Sequence, residues 1–417
     1  MRSLVARVSS LTLALWLGAC AEDDAPTRVG APPLYRIAGC ETIDHASCDV
    51  REAACQERLL DLTACIRGED RPSMPPVTVM TEPEFSDYLY STLDEQDTAN
   101  GVDHVERALV TLGMVEPNAL QIDAVIADEV EKIAGVYRSS SDDVLIVDHG
   151  EASDQDTTSN VLVHEFVHYL QDRQVDLEAF RAAVASTTDA VLAARSVSEG
   201  EAELHQIRHY AALLGLDPNA VDYGERFEAM VRWSEQYLRE QPSPFTQVHG
   251  VFPYSWGGRF MELSWQVGGR DAVAERFAAP PSQTRTLMVD AGGVIPEDVD
   301  ALTFASPEPA ADWSLHTEDV GGAFLLFLYL TTLTTPDEAR SLSLAWRGDR
   351  LSIFSRDVGD IAETVVVWRF AFVDSESRER FSWLVQRAGT RTAIEGDTTV
   401  ALAAAYTGAL PDWALVP

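Results

Sequence analysis

The ten residues Val161-Leu162-Val163-His164-Glu165-Phe166-Val167-His168-Tyr169-Leu170 constrain this chain more than any other stretch. His164 and His168 are four residues apart, so on an α-helix they lie one turn apart on the same face. Two imidazoles stacked in that way can share one metal ion, and H-E-x-x-H is a zinc-binding pattern with this spacing. Glu165 follows the first histidine and would stand beside the metal, where a carboxylate can take a proton from metal-bound water. The helix itself is favoured. Asp156, Thr157 and Thr158 offer an N-cap, and Val161, Leu162, Phe166, Val167 and Leu170 supply apolar surface to bury. As a packing element alone, the stretch is an amphipathic helix that carries two histidines.

A zinc site needs a third protein ligand and an open fourth position. The version with a glycine and a third histidine on the same run is excluded, because those positions hold Gln171 and Gln174. The other version takes a glutamate from a later helix, and Ser198-Glu199-Gly200-Glu201-Ala202-Glu203-Leu204 fits it. Glu199 and Glu203 share a face, while Glu201 points nearly the opposite way. Glu199 is the expected ligand. Glu203, one turn on, is placed to accept the other ring N–H of a ligand histidine. Gly200 costs helix stability but would let this helix approach the first one closely. The competing arrangement pairs Arg195 with Glu199 and leaves the other acids in solvent. His205 and His209 are also four apart, but Glu201 shares their face, so they read as a solvated polar stripe.

Residues 1–19 read as a signal peptide: Arg2 and Arg7 precede a short apolar run over 11–17, too short for a permanent span. Leu17-Gly18-Ala19-Cys20 then resembles the lipobox of bacterial lipoproteins, which implies acylation at Cys20 and a lipid-anchored protein of the bacterial cell envelope. Of the five cysteines this leaves four, Cys40, Cys48, Cys55 and Cys65. In an exported chain they predict two disulfides with the pairing open, pinning a small helical hairpin outside the catalytic domain. The net charge of −36 excludes nucleic acid as a partner and disfavours anionic headgroups, so membrane attachment rests on the acyl chains.

The chain divides into a tether and cysteine-bearing segment (20–76) that ends in a Pro-rich linker, a catalytic region (77–311) and a C-terminal α+β unit (312–417). Residues 133–138 and 144–148 predict a β-hairpin feeding the histidine helix, whose edge can hold an extended peptide. Helices follow over 177–185, 187–215 and 226–240; the stretch 251–260 then runs on into a helix that ends at Gly268-Gly269, and a further helix covers 271–278. Residues 323–333 read as a core helix. Residues 351–355 and 364–372 read as strands around a Gly348-Asp349 turn. The fold class expected is α+β, predominantly helical.

Taken as an ordered series, these parts resemble a group of bacterial exported proteins related to the glutamate-ligand zinc metallopeptidases, the gluzincins. The resemblance rests on Ile133-Ala134-Gly135-Val136-Tyr137, His164 to Asp172 reading H-E-F-V-H-Y-L-Q-D, Glu199-Gly200-Glu201-Ala202, Pro253-Tyr254-x-x-Gly257 with Phe260, Gly268-Gly269, and Trp346-Arg347-Gly348-Asp349-Arg350. It departs after Pro280-Pro281-Ser282, where residues 283–288 hold no histidine. It implies a zincin-like domain, a zinc ion and hydrolysis of a peptide or protein substrate. The metal ligands would be His164, His168 and Glu199, with Glu165 as general base. Tyr254 is the candidate donor to the carbonyl oxygen, ahead of His249 and His316. The alternative is a catalytically inactive envelope lipoprotein that keeps the fold for binding or scaffolding.

Overall fold

The computed structural model describes residues 40 and 43–415, apart from 94–102, 151–152, 185–186, 215, 217, 219–220, 289–294, 297–298 and 360. The signal segment and Cys20, which carry the lipid-anchor expectation, lie outside the described residues. Among the described residues no helix is long and apolar enough to cross a membrane. The fold is α+β and predominantly helical, as expected.

Helix α1 (Ala53–Arg67) comes first, with an extended segment strapped to it by the disulfides Cys40–Cys65 and Cys48–Cys55. Among the described residues of this segment there is one helix, not the two of the hairpin expected. Strand β1 (Val77–Thr81), not anticipated from sequence, leads directly into α2 (Glu82–Ser91). A capping box starts α2: the Glu84 carboxylate accepts from the Thr81 N–H at 2.8 Å, and Pro83 occupies the first turn. Next come α3 (His104–Thr111) and α4 (Ile122–Lys132). Strands β2 (Gly135–Arg138) and β3 (Asp143–Asp148) form the expected hairpin, turning through Asp142 at φ 56°. β1 adds to β3 in parallel, so the sheet order is β1-β3-β2 and β2 is an edge.

Helix α5 (Gln155–Val175) carries the two histidines. Its N-cap is Asp154, whose carboxylate accepts from the Thr157 N–H at 2.7 Å; the cap expected at 156–158 is displaced toward the N-terminus. Every residue from Ser159 to Gln171 is buried. The helix is thus not amphipathic but central, because α1, β2 and β3 pack on it from different sides, as does α7 (Thr188–Leu213), which follows α6 (Leu177–Ala183). Helices α8 (Tyr223–Glu240) and α9 (Val248–Ala278) complete this layer, and α9 kinks at Gly268–Gly269, where the break was expected.

Gly200 makes a close approach, but not to α5. A Cβ there would lie 2.3 Å from the Gly257 carbonyl on α9, and one on Gly257 would lie 2.4 Å from the Ser196 carbonyl. The small residues therefore fuse α7 to α9, and the expectation that Gly200 admits α5 is corrected.

After the short α10 (Thr284–Leu287), β4 (Ser314–Asp319), α11 (Gly322–Thr331), α12 (Pro336–Leu344), β5 (Trp346–Val358), β6 (Ile361–Phe372), α13 (Ser375–Arg387), β7 (Arg391–Ile394) and β8 (Thr399–Ala405) follow. The strands form an antiparallel sheet of order β4-β5-β6-β8-β7. Helix α11 is wholly buried, the core helix the sequence predicts. Gly348-Asp349 is not a turn. It is an irregularity inside β5, while the β5–β6 hairpin closes at Val358 and Ile361. Asp349 is used there as a buried anchor: its carboxylate accepts from the N–H groups of Gly321 and Gly322 and from both indoles, Trp346 and Trp368, at 2.8–3.0 Å.

One contiguous core runs from Val50 and Leu59 through Phe166 and Phe324 to Leu402. The boundaries expected at 76 and 311 therefore do not divide the core. The disulfide-strapped segment belongs to the same body as α5: Ser159 Oγ exchanges hydrogen bonds with the Cys48 backbone, 3.1 Å each way.

Candidate metal centre

His164, His168 and Glu199 converge at the middle of the α5–α7 contact, all at most 2% exposed. His164 Nε2 and His168 Nε2 are 3.1 Å apart, and Glu199 Oε2 lies 3.4 Å from the first and 3.2 Å from the second. Local chemistry sets the tautomers. Gln171 Nε2 donates to Ser198 O and to Glu201, both at 2.9 Å, so its carbonyl oxygen must face His168 Nδ1, 2.9 Å away. His168 therefore carries its proton on Nδ1 and turns a lone pair inward on Nε2. His164 Nδ1 meets Gln206 Oε1 at 3.0 Å in the same way. Three acceptor atoms thus face one another with no donor between them. Such a cluster needs a cation, either a proton on one ring or a metal ion, and this group of residues could hold a metal ion.

Arg195 is part of the arrangement rather than a competitor for it. Its Nε donates to Glu199 Oε1 at 3.3 Å, leaving Oε2 for the histidines. Burial opposes ionisation of Glu199, but the two histidines and Arg195 outweigh it and hold the carboxyl well below the usual range. Arg195 also hydrogen-bonds the Tyr254 hydroxyl and lies 3.2 Å from His249 Nδ1. The Tyr254 ring stacks on His164 with centroids 5.9 Å apart, so this tyrosine is in the site. His249 is buried, and burial pushes its pKa down to about 3. His316 is elsewhere, on β4, with its ring against His104.

Glu165 is fully buried beside the triad, and burial pushes its carboxyl up to about 8. Oε2 accepts the Tyr137 N–H at 2.7 Å, whereas Oε1 has no hydrogen-bond partner. That N–H belongs to edge strand β2, which sits close because Gly135 lacks a side chain: a Cβ there would meet Val161 at 2.6 Å and Glu165 at 2.9 Å.

Two expectations are corrected. Glu203 is buried, with its carboxyl raised to about 7 by burial, but the ring N–H groups of the histidines go to Gln206 and Gln171 instead. Gln206 is seven residues after Glu199 and so stays on its face, and Gln171 is one turn after His168. Glu201, His205 and His209 do not form a solvated stripe; none is more than 2% exposed. Arg67 of α1 grips Glu201 through Nε at 3.0 Å and Nη2 at 2.9 and 3.2 Å. Burial disfavours the Glu201 carboxylate, yet Arg67, His205 and Gln171 hold it down at about 2. His205 packs edge-on against Trp265, and His209 Nδ1 bonds Asn160 at 3.0 Å. The sequence showed no sign that α1 would fold over this face. A hydrogen-bonded line therefore runs from Arg67 through Glu201 and Gln171 to His168.

Two cavities, of about 310 and 290 Å³, are not lined by the triad. No known protein family, curated protein or solved structure matches this chain.

Proposed function

We propose that this chain is a zinc-dependent endopeptidase with a zincin-like catalytic core, carried on the bacterial cell envelope as a lipoprotein. The observation that supports it most is the convergence of three inward-facing acceptors beside a buried carboxylate, Glu165, that keeps one oxygen unpartnered. Two imidazole nitrogens and one carboxylate oxygen are a zinc donor set that leaves a coordination position open. Their separations of 3.1–3.4 Å suit ligands on a tetrahedral ion, which lie about 3.3 Å apart. When bound, zinc supplies Lewis acidity, making water ionisable near neutral pH and polarising a carbonyl.

The chain's own residues supply the rest. Glu165, oriented by the Tyr137 N–H, takes the proton of the attacking water on Oε1 and returns it to the leaving amine. Tyr254 accepts from Arg195 and so keeps its own proton to donate to the carbonyl oxygen as charge develops there. Edge strand β2 offers its outer side to an extended peptide by strand addition. Two disulfides fit an oxidising compartment, and the Leu-Gly-Ala-Cys sequence at 17–20 fits acylation at Cys20.

One observation favours a second reading, a metal-binding envelope protein without turnover: the triad and Glu165 are all at most 2% exposed, closed to a protein substrate in this conformation. Metal analysis of the soluble domain followed by a peptide-library digest separates the two. Glu165→Gln should retain zinc and lose cleavage. Wild-type cleavage by zinc-loaded Glu165→Gln overturns the mechanism, and no cleavage by the zinc-loaded wild type transfers the conclusion to the binding protein.

A further inference from the structure

The cavity of about 290 Å³ lies between α4 and the connection from α8 to α9. Ala119, Leu120, Ala124 and Val125 make one apolar wall. The polar lining is Asp128, Gln241, Ser243, Thr246, Gln247 and Glu129, and Glu129 is 3% exposed with a buried oxygen, Oε2, that has no hydrogen-bond partner. We propose that this cavity receives the side chain of a lysine or arginine in the substrate, with the Glu129 carboxylate as its anchor. The proposal rests on the peptidase reading above and specifies its substrate class.

Several features agree on a cation. Apolar side chains and a carboxylate in one lining match a side chain with an aliphatic stem and a charged tip. The volume is at the small end for ligand sites, which run from about 300 Å³, so it suits one side chain rather than a whole cofactor. An ammonium is already accepted here: Lys132 Nζ bonds Asp128 and, at 2.8 Å, Gln247, both of which line the cavity. That ammonium is taken up by Asp128 and Gln247, and Glu129 Oε2 keeps no hydrogen-bond partner. The other cation that acts on Glu129 is Arg195, whose charge is matched by Glu199. Arg195 also links the cavity to the candidate metal ligand, since its charge acts on Glu129 and its Nε donates to Glu199. Six residues after Glu129, the chain reaches Gly135 against Glu165. Helix α4, which carries Glu129, runs on into β2, the strand read above as the one that holds the peptide. The net charge of −36 further draws basic peptides toward the molecule.

The test uses N-acetyl-lysine methylamide and its norleucine counterpart as probes, titrated by calorimetry into the zinc-loaded and the metal-free protein. The lysine probe should bind both forms, and more tightly than norleucine. Glu129→Gln should weaken it roughly ten- to a hundredfold, the worth of a hydrogen bond to a charged group. Ala124→Trp, at an exposed position on the cavity wall, should block it without touching the core. In a library digest the wild type should prefer lysine or arginine at one subsite, and both variants should lose that preference. Equal binding of the two probes to the wild type, or unchanged lysine binding in both variants, overturns the pocket. Cleavage without basic preference also overturns the pocket while leaving the peptidase reading intact. Lysine binding with no cleavage of any peptide by the zinc-loaded wild type overturns the peptidase reading and, with it, the substrate assignment.

Discussion

Replacing Arg67 by Met tests whether the disulfide-strapped helix is part of the metal centre or a cover over it. Arg67 and Glu201 are 4% and 2% exposed, and Arg67 makes three of its hydrogen bonds to that one carboxylate, at 2.9–3.2 Å. Without the guanidinium, Glu201 is a buried carboxylate whose remaining neighbours are the Gln171 amide and His205, 3.7 Å away. Removing one partner of such a pair costs about 3–5 kcal/mol, while replacing both by apolar side chains is often neutral or stabilising. Arg67→Met should therefore lower the unfolding free energy by about 3–5 kcal/mol in urea, a large part of the roughly 5–15 kcal/mol a domain has. The double variant Arg67→Met/Glu201→Met should recover most of it, because Gln171 Nε2 still donates to Ser198 O. On the proposed zinc reading, the single variant should also bind zinc about ten- to a hundredfold more weakly, since Gln171 then orients His168 less firmly. A loss below about 1 kcal/mol, or a double variant no more stable than the single one, would falsify the buried-pair account.

Three further outcomes follow from the packing. Gly200→Ala places a Cβ 2.3 Å from the Gly257 carbonyl, so despite the better helix propensity of alanine it should lower stability by roughly 1–3 kcal/mol; an unchanged melting temperature would show that α7 and α9 separate freely. Asp349→Ala strands four buried donors at about 1 kcal/mol or more each, so a loss of about 4 kcal/mol or more is expected in urea unfolding, and a loss under 1 refutes its role as an anchor. Burial pushes the Glu129 carboxyl up to about 8, above its unfolded value, so its contribution is fully present below about 4.5 and is lost as pH rises toward 8. The wild type should lose up to about 1.4 kcal/mol per pH unit in that window relative to Glu129→Gln, and parallel stability profiles would contradict this.

Local physics made much of this legible in the residue order. The helical period puts His164 and His168 on one face wherever the helix lies, and Glu199 and Glu203 on one face of the next long helix. The hairpin before α5, the break at Gly268-Gly269 and the all-apolar α11 are likewise properties of short stretches. The four cysteines other than Cys20 point to two bridges, but pairing requires knowing which residues come within reach, and that is set by how residues 43–52 lie along α1.

Only the tertiary structure decided the rest, because burial depends on what packs against a face and not on the face itself. Glu201, His205 and His209 carry the composition of a solvated stripe, and they are buried because α1 lies across them and brings Arg67. Gly200 looked like a notch for α5 and is a notch for α9, a choice made by which helix presents a facing glycine. Glu203 had the better chemistry for holding a ligand histidine, yet Gln206 and Gln171 hold them, since ring orientation is fixed by the nearest group in space. Arg195 shows the same logic from the other side. The sequence offered it as a rival for Glu199. In the folded protein it engages one carboxylate oxygen and turns the other toward the histidines, because each oxygen can be satisfied from a different direction once the helices are packed.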